Sequence, residues 1–184
     1  MKKKSGQFLI KGIVILVSTA VLWGCILQGL YVFDNKYSHG GPQPQEGVLT
    51  IDQTTFEDGK FTFLVDDWSF YNGQLLSPSD FKTQDISDPQ MVYIGQYPDF
   101  SMRNTEKSPF GYATYRMQII NKGAPIMLSM TLQEIFSSAT VWVNGTVIEK
   151  LGETNPQNYE PHIQNSVVSF YVDGKADIII NTTN

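Results

Sequence analysis

Cysteine is nearly absent: the single one, Cys25, lies inside an apolar run, and none follows residue 33. A small module stapled by disulfides is therefore excluded, and the fold must rest on a packed core. Histidine is almost as scarce. With only His39 and His162 and no cysteine beyond the run, a zinc site, which needs three or four clustered ligands, is not expected. Positive charge is missing where it would matter for nucleic acid. Four of the 13 Lys/Arg (Lys2, Lys3, Lys4, Lys11) precede residue 12, leaving nine against all 18 Asp/Glu, a formal charge of −9 after residue 33. Such a surface repels phosphates and releases no counterions, so nucleic acid is not an expected partner. There is no glycine-rich phosphate loop, no Gly-x-Ser-x-Gly nucleophile turn, no internal repeat and no second apolar stretch of spanning length. No cofactor is implied. Carboxylates are plentiful but unpaired, so no catalytic residue is expected among them.

The one long apolar run, residues 12–33, carries no charge and exceeds the roughly 20 residues that a helix needs to cross hydrocarbon. The four lysines before it hold that end in the cytoplasm, which places residues 1–11 inside and everything after the run outside the cell membrane. A cleaved signal peptide shares the basic start and apolar core. Against it stand the length of the run, its bulky end Leu30-Tyr31-Val32-Phe33, and the lack of a small-x-small cleavage site. Cys25 follows Leu22 and Gly24 as in a lipid-acylation site, but Trp23 stands where a small residue is needed. A cysteine packed in a membrane helix is the simpler reading.

Residues 34–47, with His39-Gly40-Gly41-Pro42-Gln43-Pro44-Gln45, read as a linker, since Gly and Pro at that density break both helix and ladder. From residue 48 to 184 the pattern is that of strands. Ile126, Leu128, Met130 and Leu132 alternate with Met127, Ser129, Thr131 and Gln133, and Tyr115, Met117 and Ile119 alternate with Thr114, Arg116 and Gln118. That is the period of two of a half-buried strand. The sharpest local signal is Val141-Trp142-Val143-Asn144-Gly145-Thr146-Val147-Ile148, because Asn-Gly between β-branched and aromatic residues marks a hairpin turn with two positive φ angles. Further strands are expected over 48–52, 61–65, 90–94, 166–172 and 176–181, and one short helical turn at Pro78-Ser79-Asp80-Phe81. Many short strands with few helical periods indicate an all-β antiparallel sandwich or barrel.

A few residues are candidates for a site. Arg116 projects from the polar face of its strand, where it either clamps a ligand oxygen or pairs with a neighbouring carboxylate. The loop over 151–165 is the longest polar connection and holds Glu153, Tyr159, Glu160 and His162, a mixture of ring and hydrogen-bonding groups that suits a neutral sugar but equally describes a solvated loop. The aromatic-rich stretch 66–81 is either a stacking platform or core filling. Glu57-Asp58 and Asp66-Asp67 lie beside turns as solvated capping residues, with no spaced pattern that would support a calcium or other metal site. Asn144-Gly145-Thr146 and Asn181-Thr182-Thr183 fit the glycosylation acceptor pattern, which matters only on a eukaryotic secretory route.

Three segments carry a family resemblance: Trp68-Ser69-Phe70-Tyr71 with Leu75-Leu76-Ser77-Pro78-Ser79-Asp80-Phe81; Gly111-Tyr112-Ala113-Thr114-Tyr115-Arg116-Met117; and Ala139-Thr140-Val141-Trp142-Val143-Asn144-Gly145 with Gly152. Together they resemble the extracellular galactose-binding-like jelly-roll domain of bacterial membrane sensors, the seven-transmembrane receptors with diverse intracellular signalling modules and their relatives ending in histidine kinases or nucleotide cyclases. The third segment is also similar to the sugar-binding domain of β-galactosidase-type and β-glucuronidase-type glycoside hydrolases. The resemblance implies a jelly roll over 48–184, carbohydrate or small-molecule sensing, and downstream membrane and signalling domains absent from this chain, with the jelly roll itself C-terminally incomplete. It also leaves two other readings open: an accessory carbohydrate-binding module of a surface hydrolase, and an interaction module without a small ligand.

Overall fold

The computed structural model describes residues 2–34, 41–55, 61–94, 110–133, 135 and 137–184. They belong to two compact units, Met1–His39 and Gly40–Asn184. His39 and Glu57-Asp58 lie outside the described residues.

The first unit is a single helix, α1 (Lys2–Asp34). Its apolar part, Ile10–Tyr31, has 22 residues and a mean hydropathy of 2.2. At 1.5 Å per residue that is about 33 Å, long enough to cross a bilayer whose apolar core is about 30 Å thick. A helix satisfies its own backbone groups, as a chain in hydrocarbon must. Cys25 is exposed on it.

Among the described residues the second unit holds strands β1 (Val48–Ile51), β2 (Trp68–Asn72), β3 (Gln90–Val92), β4 (Tyr112–Asn121), β5 (Ile126–Leu132), β6 (Ser138–Val143), β7 (Thr146–Leu151), β8 (Ser166–Val172) and β9 (Lys175–Thr183), with one short helix, α2 (Asp80–Thr83). Seven strands make a sheet in the order β3-β2-β4-β9-β6-β7, with β1 attached to β4, and β5 and β8 form a second sheet. Strand β4 is long enough to hold two neighbours along one edge. Its first half pairs with β2 antiparallel and its second half with β1 in parallel. That parallel pair departs from the expected all-antiparallel pattern. The architecture is otherwise antiparallel β with an apolar N-terminal helix. The last strand, β9, is interior, paired with β4 on one side and β6 on the other.

Alternation puts Met117 and Ile119 of β4, Val141 and Val143 of β6, and Ala176, Ile178 and Ile180 of β9 on one face of the large sheet, where they share a core with Val168, Phe170 and Val172 of β8. Each of the larger side chains there, buried from water, contributes about 1.5–3 kcal/mol, which is how a unit without disulfides holds together. Trp68 closes one end, 2% exposed, with its indole N–H donated to Leu64 O at 2.8 Å.

The expected hairpin is present: Asn144 and Gly145 have φ of 51° and 86° and join β6 to β7. A bulge between Val141 and Trp142 shifts the register of the pair. The expected helical turn is α2. Asp80 Oδ2 there accepts Ser77 N–H at 2.7 Å and Ser77 O–H at 2.6 Å, and Asp80 N–H donates back to Ser77 O at 3.0 Å, which closes the turn that leads into the helix. The strand expected over 61–65 does not form. Its Phe61-Thr62-Phe63 alternation has a strand's period, but Phe61 and Phe63 pack edge to face at 5.2 Å and the segment joins neither sheet. Part of the expected linker is also ordered: residues 45–48 close a tight turn through reciprocal 2.9 Å backbone bonds, and Asp67 Oδ2 accepts Glu46 N–H.

Candidate functional site

With one face of the large sheet committed to the core, the opposite face is where a site can form. The register fixes its layout. Ser69, Arg116, Ile179, Trp142 and Val147 stand in one row across β2, β4, β9, β6 and β7. Tyr71, Thr114, Asn181, Thr140 and Lys150 make the adjacent row.

Arg116 has become an anchored group. Its Nε donates to Asp177 Oδ1 at 2.8 Å and its Nη2 to Asp177 Oδ2 at 3.1 Å. The guanidinium lies 4.3 Å from the centre of the Phe81 ring, and Phe81 meets Tyr71 edge to face at 5.3 Å. Burial works to lower the Arg116 pKa, and the Asp177 carboxylate together with Tyr71 more than offsets it, leaving the group above its ordinary value. Burial likewise pushes the Tyr71 phenol up, with Arg116 opposing. The chain that carries Phe81 is held down by Thr114, whose Oγ1 accepts Leu76 N–H at 2.8 Å. That oxygen also lies 2.8 Å from Gln74 O and 2.7 Å from Asn181 Oδ1. Asn181 is buried, which removes it from reach of glycosylation.

The 151–165 loop covers the other end of the same face. Thr154, itself buried, has its Oγ1 3.3 Å from Thr140 Oγ1, and its carbonyl accepts Thr183 O–H at 2.5 Å. Gly152 lets the chain turn back on itself: at φ +67°, a Cβ there would stand 2.0 Å from Glu160 O. Glu153 and Glu160 then exchange two backbone bonds of 2.9 and 3.2 Å. Glu153 Oε2 accepts from Lys150 Nζ at 2.9 Å and its Oε1 from Asn155 N–H at 3.0 Å. The Lys150 bond, then that of Asn155, holds the Glu153 pKa below the usual carboxylate range. His162 Nε2 is 3.1 Å from Gln164 Oε1, and both His162 and Tyr159 are exposed.

The four candidate residues thus fall into two groups. Glu153, Tyr159 and His162 share the loop, anchored where β9 reaches Thr183. Arg116 stands opposite Ile179, four residues back along β9. Between the groups lies Trp142, which its hairpin explains as sequence but not as chemistry. Sequence contained the signal: flanked by core residues Val141 and Val143, Trp142 has to face away from the core. Among the described residues no group of three or more His, Cys, Asp or Glu is placed to hold a metal ion.

Among solved structures, the chain is similar to a β-glucuronidase from Faecalibacterium prausnitzii, with TM-score 0.46 and 14% identity over 65% of this chain and 20% of that one. It is also similar to a β-glucuronidase from Ruminococcus gnavus, with TM-score 0.43 and 15% identity over 66% and 21% of the two chains. A GH2 β-galacturonidase from Eisenbergiella tayi, bound to galacturonate, gives TM-score 0.40 and 12% identity over 67% and 21%. The chain spans about a fifth of the length of these enzymes. No protein-family model matches the chain, and no curated protein matches it.

Proposed function

We propose that this chain is the membrane-anchored, extracellular recognition part of a bacterial signal-transduction protein, a jelly-roll domain that binds carbohydrate or a related small molecule. The observation that carries the reading is the joining, in one chain, of an apolar helix of spanning length behind four lysines and a β unit whose non-core face is roofed by two polar segments. The lysines favour a cytoplasmic N-terminus, so the β unit faces outward, where it meets solutes rather than cytoplasmic partners. Ligand sites set a few polar groups around an apolar surface, and the reading assigns that part to Arg116, Glu153, Tyr159 and His162. Binding is the role assigned to the chain. Catalysis, if the full protein has any, belongs to other domains.

A second reading has its own support. The Ala139-Thr140-Val141-Trp142-Val143-Asn144-Gly145 motif, which forms β6 and its turn, is common to the sensor domains and to the sugar-binding domain of glycoside hydrolases. In that reading the chain is an accessory module of a surface hydrolase. Calorimetry on the full chain in lipid nanodiscs, against mono- and oligosaccharides, tests recognition in both readings. Heat of binding to at least one saccharide is expected, and none with any saccharide would turn the assignment to an interaction module. The coding sequence after Asn184 separates the first two: further membrane helices mark the sensor, and a barrel with paired carboxylates marks the hydrolase.

A further inference from the structure

The three tryptophans have three different situations. Trp23 lies in the apolar helix. Trp68 is 2% exposed and has its indole N–H satisfied by Leu64 O, so it is a core residue. Trp142 lies on the non-core face, half-buried, with no side-chain hydrogen bond or ring contact among the described residues. Large rings with a polar N–H are usually buried with that N–H paired, so a ring left partly open in the middle of a sheet face has capacity to spare. Its surroundings are specific. Ile179, its cross-strand neighbour, is 1% exposed, so the opening lies over the indole itself and not over β9. On one side along the row is the Arg116–Asp177 pair. On the other, one strand beyond and in the adjacent row, is the Lys150–Glu153 pair at 2.9 Å.

We infer that Trp142 is the stacking platform of a site for a neutral pyranose oligosaccharide, with the Arg116–Asp177 and Lys150–Glu153 pairs as its two polar walls. This rests on the recognition function proposed above and names the chemistry of its site. The indole face takes the apolar C–H face of a sugar ring, and Nε1 donates to a ring hydroxyl. Each wall offers both halves of what a hydroxyl needs, since Arg and Lys retain N–H donors beyond those used on their partners, and the carboxylates retain lone pairs. Arg116 and Lys150 are three strand spacings apart, about 14 Å between backbones, which accommodates more than one ring. Neutrality follows from charge. Both cations are already paired with acids in a unit of formal charge −9 after residue 33, so an anionic sugar would have to break a pair or meet net repulsion.

The test uses the full chain in nanodiscs with lactose and cellobiose as neutral probes and glucuronate as the anionic comparison. A neutral disaccharide is expected to bind and to shield Trp142 from acrylamide quenching, a protection that vanishes in Trp142→Phe. Trp142→Ala is expected to weaken binding about tenfold or more, and Trp142→Tyr to retain most of it. Unchanged affinity in a Trp142→Ala protein that still melts cooperatively overturns the platform while leaving saccharide recognition standing. If that variant fails to fold, the wild type decides: binding at saturation with no change in quenching overturns it equally. Glucuronate bound more tightly than either disaccharide overturns the neutral-sugar assignment. No saccharide binding at all removes the recognition function together with its platform.

Discussion

Arg116 and Asp177 are 61 residues apart in sequence and meet in a two-pronged pair, Nε to Oδ1 at 2.8 Å and Nη2 to Oδ2 at 3.1 Å. Asp177 stands opposite Gln118 rather than Arg116, so the arginine reaches diagonally across β9. The same aspartate fastens the β6–β7 turn: its N–H donates to Asn144 Oδ1 at 2.9 Å, and its carbonyl accepts Asn144 N–H at 2.9 Å. One residue therefore ties the turn, the central strand and, through Arg116 and Phe81, the helix α2 segment.

Removing the Asp177 carboxylate tests that tie. Both side chains are about a quarter exposed, so the pair is neither dry nor fully screened, and Asp177→Ala should cost about 1–2 kcal/mol. Arg116→Lys should lose a similar part, because an ammonium cannot match the two-pronged geometry or lie flat on Phe81. Thermal melts of the full chain in nanodiscs read both. A midpoint unchanged in both variants would make the pair incidental.

Thr114 gives a sharper case, since it is 0% exposed. Thr114→Val keeps the shape but leaves Leu76 N–H without its acceptor, at an expected cost of about 1–3 kcal/mol. Thr114→Ser keeps the hydroxyl and should cost less. Equal losses in the two variants would mean that packing of the methyl, not the hydrogen bonds, holds the 74–76 segment.

How far the chain could be read beforehand depended on the range of the cause. The Asn144-Gly145 turn, the β5 and β8 strands and the apolar helix are set by neighbours in sequence, so period and turn chemistry sufficed. The 61–65 segment has a strand's period, but among the described residues it makes only the single backbone bond from Ile94 N–H to Val65 O and no ladder, a matter of tertiary pairing that no local pattern contains. The same limit applies to Arg116. Its strand and face were legible, whereas its choice of Asp177 over a ligand depended on β9 being its neighbour. Trp142 was legible by parity alone, because Val141 and Val143 point the other way.

Two glycines should respond to substitution by different mechanisms. Gly145 has φ +86° with nothing closer to an added Cβ than Pro78 at 4.0 Å, so Gly145→Val is expected to cost about 1–3 kcal/mol through backbone strain alone. Gly152→Ala meets Glu160 O at 2.0 Å as well as a φ of +67°, so the loop must open. Hydrogen exchange at the Glu153 and Glu160 amides should then accelerate far more in Gly152→Ala than in Gly145→Val. Equal protection in both would mean the loop does not depend on that close approach.

Acid should weaken the β unit through Asp80 and Glu153. Asp80 is held below its ordinary value by the Ser77 hydroxyl and then the Ser77 N–H, and Glu153 by Lys150. Carboxylates lowered in the folded state contribute stability that is present above their unfolded pKa, about 4, and lost as pH falls through the folded values. The midpoint should hold from neutrality to about pH 5 and decline below about pH 4. Relief of net negative charge acts in the opposite sense, so the decisive comparison is Asp80→Asn, whose decline should be shallower than that of the wild type. Superimposable curves would remove Asp80 from the account.

The anchor is tested by where the chain ends up. An apolar helix of 22 residues that ends in Leu30-Tyr31-Val32-Phe33 without a small-x-small site should be retained rather than cleaved. Expressed in a bacterium, the protein should pellet with membranes, resist carbonate extraction and keep Met1 or Lys2 at its N-terminus. Protease added to intact spheroplasts should digest the β unit and spare residues 1–11, because the lysines hold that end inside. A soluble product starting between Asp34 and Glu46 would show a cleaved leader, and digestion of the lysine end with the β unit protected would reverse the orientation.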